Sequence, residues 1–139
     1  MSELERNVPA SGSCSKYEEA DLYLRLFSMY SSEELSSAFR WFHSRFNAKD
    51  LDDFEKECPP GSVERSNFWK IGNFFDLIGT LLKREYLDKE LLIDLCPDDV
   101  RSYWTKASPL VKEMRPKYND PRLYADLELL YEEIQKEMA

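Results

Sequence analysis

Residues 68–82 read Phe68-Trp69-Lys70-Ile71-Gly72-Asn73-Phe74-Phe75-Asp76-Leu77-Ile78-Gly79-Thr80-Leu81-Leu82. Phe68, Ile71, Phe74, Phe75, Leu77, Ile78, Leu81 and Leu82 recur at helical spacing over about half the circumference, wider than the ~100° apolar stripe of a surface helix. The pattern predicts a helix over about 62–85 at the centre of a helical domain. Gly72 and Gly79 fall on one line, seven residues apart. A glycine inside a helix costs about 0.5–1 kcal/mol relative to alanine, so two on one line predict another backbone approaching closely. The polar side of the same helix carries Trp69, Asn73, Asp76, Thr80 and Lys83.

Upstream, Ser15 and Glu18 form a capping box, in which each side chain satisfies an N–H left open at the helix start. The helix that follows has two apolar stripes. Ala20, Tyr23, Leu24, Phe27 and Tyr30 make the main one; Leu22, Leu26 and Met29 lie almost opposite, leaving Asp21, Arg25 and Ser28 for water. A helix so patterned needs cover on two sides. Leu22, Leu26 and Met29 are therefore the candidate interface, and a homodimer is the simplest cover, since soluble monomers avoid contiguous apolar strips. Ser31 with Glu34 marks a second helix, with Leu35, Ala38, Phe39, Phe42 and Phe46 inward. Residues 47–58 are acidic and weakly periodic, one short helix at most. Pro59-Pro60-Gly61 is the firmest break in the chain.

Downstream of the centre, Asp88 caps a short helix to about Cys96, and Pro97 suits the first position of the next. Val100, Tyr103, Trp104, Ala107, Val111 and Met114 point inward there. Pro109 is expected to kink or interrupt that helix, because an interior proline removes a hydrogen bond and crowds the preceding turn. Asp120 and Pro121 are expected to start a last helix with Leu123, Leu127, Leu130 and Ile134 along one side. No alternating strand pattern, hairpin signal or repeat occurs. The expected fold is all-α, a compact bundle of five to six helices, mostly antiparallel. Residues 1–14 read as a flexible tail and 15–139 as a single domain.

The chain has 139 residues, the size of one domain, with 42% hydrophobic and 33% charged side chains. Its formal net charge of −8 repels phosphate backbones, so nucleic acid is not an expected partner. Cys14, Cys58 and Cys96 are scattered and odd in number, which fits a reducing compartment. No secretory signal opens the chain, and the most apolar stretch, 71–82, is too short to span a membrane. A cytoplasmic location is the expectation.

No pattern of residues carries a reaction. His43 is the only histidine, without the spaced Cys, Asp or second His that nucleophile–base pairs and zinc sites need. The acidic run Asp50, Asp52, Asp53, Glu55, Glu57 fails as a calcium loop: counted from Asp50, the sixth residue is Glu55 where glycine is required, and the twelfth is Gly61 where glutamate is required. Arg101, Lys112 and Arg115 form a basic stripe, read as complementary to Asp126, Glu133 and Glu137 on the last helix. Trp69, Asp76, Trp104 and Arg115 are the candidate lining of a small-ligand pocket between the central helix and the one carrying Pro109. No catalytic residue, metal ligand or cofactor site is expected.

Phe74-Phe75, Ile78-Gly79 and Leu81, then Lys83 to Asp88, Tyr103-Trp104, Pro109 and Arg115 together resemble a family of uncharacterised prokaryotic proteins grouped only as a domain of unknown function. The resemblance implies a small helical domain, carried in many relatives after one N-terminal transmembrane helix that is not read in this chain. It brings no catalytic residue with it. The functional expectation is a non-enzymatic interaction module that binds a protein partner or a second copy of itself, with a small-ligand sensor as the alternative.

Overall fold

The computed structural model describes residues 15–138; the tail read over 1–14 lies outside them. The described residues form seven helices and no strand: α1 Lys16–Tyr30, α2 Glu33–Arg45, α3 Leu51–Glu57, α4 Val63–Lys83, α5 Lys89–Leu95, α6 Pro97–Lys117 and α7 Ala125–Glu137. The protein is all-α, with more helices than the five to six expected. The acidic stretch accounts for the difference. Asp50 accepts the Asp53 N–H at 2.8 Å, Glu113 of α6 accepts the Leu51 N–H at 3.0 Å, and Leu51 and Phe54 are buried. Two carboxylates and two apolar anchors hold a seven-residue helix that its own periodicity barely signals.

Local capping sets most boundaries. Ser15, Ser62 and Asp88 each accept an N–H from the first turn of α1, α4 and α5. The cap of α2 is Ser32, which accepts the Leu35 N–H at 3.2 Å; Ser31, the expected cap, instead ends α1.

α4 touches α2, α5, α6 and α7, most broadly α7 and α2. Phe68, Ile71, Phe75 and Ile78 are fully buried, while Leu77, read as inward, is exposed. One hydrophobic cluster draws residues from all seven helices. At its heart Tyr103 lies among Phe42, Phe68 and Phe75, and its buried hydroxyl donates to the Phe68 carbonyl at 2.9 Å. That bond removes the cost of burying an unpaired phenol.

α6 runs unbroken through Pro109 and Pro116, so the expected interruption is absent. Both prolines and the residues four earlier, Thr105 and Lys112, are exposed. The helical hydrogen bonds that the prolines remove are therefore lost on the exposed side of the helix, where water can replace them.

The start of α7 also differs from expectation. Residues 121–124 form turns, with the Ala125 N–H bonding the Arg122 carbonyl at 2.9 Å, and the helix begins only at Ala125. Tyr124 adopts a left-handed conformation, φ 55°, which is unfavourable for a residue with a Cβ. Its buried ring sits 5.8 Å from the Trp69 ring and its hydroxyl donates to Asn73 at 2.8 Å. Burial of the aromatic offsets the strained turn.

Candidate functional site

The polar side of α4 is the seat of α7. Asp76 accepts the Leu127 N–H at 2.9 Å, in the first turn of a helix whose own cap residue supplies no side-chain bond. Thr80 donates to Asp126 at 2.6 Å, and Lys83 lies 3.7 Å from the same carboxylate. A Cβ at Gly79 would overlap the Asp126 carbonyl, so the close backbone approach read from the glycine pair occurs there. At Gly72 the neighbours are side chains, the Tyr124 ring and the Tyr103 hydroxyl. Burial raises the Asp76 carboxyl above the usual aspartate value, opposed by the N–H groups of Leu127 and Asp126 and aided by the Asp126 charge.

Among the described residues, Trp69, Asp76, Trp104 and Arg115 line none of the larger grooves. Trp69 packs on Tyr124, and Asp76 caps α7. Trp104 is buried, and Arg115 donates to the Leu123 carbonyl at 2.9 Å and to Glu128 at 3.0 Å. Three of the four thus fasten the entry to α7, and none lines the groove of about 620 Å³ beside Met29, Leu35, Lys70, Phe74 and Leu77. The acidic partners of the basic stripe also differ from those expected. Arg115 meets Glu128, Arg101 lies 3.6 Å from Asp98, Asp126 turns to Thr80 and Lys83, and Glu133 pairs with Lys89 at 2.8 Å.

His43 does find a carboxylate. Its Nε2 is 3.6 Å from Asp99, the other oxygen of which accepts the Tyr30 hydroxyl. Burial, then that hydrogen bond, raises the Tyr30 phenol above its usual value. The cluster joins the end of α1 to α2 and the first turn of α6. Burial pushes the Cys58 and Cys96 thiols up to about 12, so both are protonated and unreactive at neutral pH. Among the described residues no group of three or more His, Cys, Asp or Glu side chains could hold a metal ion. No described helix is long and apolar enough to cross a membrane.

α1 is seated the opposite way from the expectation. Leu26 is buried within the chain and Leu22 packs half-buried against the core, leaving only Met29 of that stripe well exposed. Tyr23 and Tyr30 turn partly inward beside them, while Tyr17, Leu24 and Phe27 point out, 91%, 65% and 50% exposed. Ala20 lies on the same outer line and is also exposed. Tyr30, at the edge of the wider stripe, joins the narrower one at the core, where it stacks on Phe74, meets the edge of Phe39 and reaches Asp99. The sequence did carry the signal, two stripes competing for one core, but not which of them faces water.

No curated protein and no solved structure matches the chain. A family model described as a domain of unknown function, DUF4760, matches residues 18–134, from the first turn of α1 nearly to the end of α7. The chain belongs to the DUF4760 family.

Proposed function

We propose that this domain is a non-enzymatic protein-interaction module whose docking surface is the outer line of α1. The observation that carries the reading is the exposure of Tyr17, Leu24 and Phe27 on a helix whose opposite side is already packed. Apolar side chains three and four apart on one helix face form a contiguous strip of the kind that marks interaction sites on soluble proteins. Large aromatics are also favoured anchors in interfaces, because they cover much area with few rotatable bonds.

A photo-reactive residue placed at position 24 in the producing cell tests this, with the exposed position 112 as control. Position 24 should yield a discrete adduct, identified by mass spectrometry, and position 112 none. An adduct of twice the chain mass identifies a second copy as the partner. Equal, diffuse labelling at both positions contradicts the reading.

A further inference from the structure

The outer line of α1 borders a groove of about 450 Å³ shared with α5. Ala20 forms its α1 wall, one turn before Leu24 and two before Phe27, and the exposed Leu91 forms its α5 wall. Ala20 and Leu91 thus bring the outer line of α1 to the edge of α5 at this groove, with Leu24 and Phe27 farther along α1 outside its lining. The polar lining is strongly one-signed, with Glu19, Asp88, Glu90 and Asp94 against the single cation Lys16. Glu19 accepts the Asp88 N–H at 3.1 Å and Asp88 accepts the Glu90 N–H at 2.8 Å, so these two are tied to backbone. Glu90 and Asp94 are exposed. The nearby cation on α1, Arg25, is paired with Asp21 at 3.0 Å.

We infer that the seam between α1 and α5 docks a basic amphipathic helix of a partner protein, its apolar line over Leu24, Phe27 and Leu91 and its Lys or Arg side chains against Glu90 and Asp94. This rests on the interaction-module reading and names the chemistry of its partner. An amphipathic helix matches the shape, because anchors at i, i+3, i+4 and i+7 follow a groove between two helices. The basic character follows from charge: four carboxylates beside one lysine reward Lys and Arg, steer them from a distance and penalise acid. The same charge argues against a second copy. A two-fold interface uses the same patch on both chains, so it would bring two copies of this acidic patch into one interface, between chains that each carry −8.

The test uses the full chain and two labelled 18-residue peptides with leucine at i, i+3, i+4 and i+7, one with lysine on the flanks and one with glutamate. Fluorescence anisotropy should show binding of the Leu/Lys peptide, weakening as salt rises, and none of the Leu/Glu peptide. The variant Glu90→Lys/Asp94→Lys should bind the Leu/Lys peptide about ten-fold more weakly, and the variant Leu24→Ser/Phe27→Ser should lose it. If circular dichroism shows the charge reversal unfolded, Glu90→Gln/Asp94→Asn replaces it with the same sign of effect expected. Absence of binding overturns the inference, as does equal affinity for both peptides or for the charge-reversed protein. A photo-reactive residue at position 24 identifies the occupant in parallel. A cross-link to the Leu/Lys peptide supports the inference; one to a second copy, or to residues 1–14 of the same chain, overturns it. If the peptide fails but position 24 still labels a discrete partner in the cell, the interaction module stands and only the basic helix is refuted.

Discussion

The Asp76 carboxylate on α4 caps α7, accepting the Leu127 N–H at 2.9 Å across 51 residues of sequence. Removing a side-chain cap costs about 1 kcal/mol, up to about 2. Asp76→Ala should therefore lower the unfolding free energy by about 1–2 kcal/mol, measured by urea denaturation at pH 7, and fray α7. An unchanged midpoint contradicts the capping role.

The same carboxyl has a pH signature. Burial raises its value in the folded state, so protonation favours folding. This contribution is absent at pH 7, appears as the pH falls through the raised folded value, and is complete only below the ordinary unfolded value of about 3.9. Asp76→Asn is neutral throughout. The stability difference between the natural protein and Asp76→Asn should thus move in favour of the natural protein between pH 7 and about 4. A shift in the other direction identifies a lowered carboxyl instead.

Gly79→Ala should be among the most damaging single-methyl changes in the chain. The added Cβ overlaps the Asp126 carbonyl, and backbone in a helix end cannot yield as a side chain can. A loss of about 3 kcal/mol is expected, despite the roughly 1 kcal/mol that alanine contributes as a better helix former. A variant as stable as the parent contradicts the α4–α7 contact.

These relationships mark what the sequence made legible. The spacing from Phe68 to Leu82 revealed the central helix, and the glycine pair revealed a close approach, because both are local consequences of helix geometry. Asp76 was placed on the polar side, but its partner lies in another helix, and spacing within one helix cannot reveal a cap supplied from elsewhere. Tyr124 was missed for a related reason: its left-handed turn is held by Trp69 and Asn73 rather than by glycine or asparagine chemistry. On α1 both stripes satisfied the helical period, and the contacts that seat the helix, such as those of Tyr30 with Phe39, Phe74 and Asp99, lie in other helices.

Cys58 and Cys96 are buried thiols raised to about 12. In a Cys14→Ser variant, a thiol reagent at pH 8 should label neither until denaturant unfolds the chain. Rapid labelling of the folded protein contradicts their burial.

The measurement that tests the account most directly is a paired one on Leu24→Glu/Phe27→Glu. Both side chains face water in the isolated chain, so the variant should melt within a degree or two of its parent. Leu26→Ala, on the buried side of the same helix, should by contrast lose about 3 kcal/mol. The Glu variant should also fail to retain the partner that the photo-reactive residue at position 24 captures from the parent. A folded Leu24→Glu/Phe27→Glu protein that keeps this partner, or a variant that loses its fold, contradicts the assignment of the outer face of α1 as the docking surface.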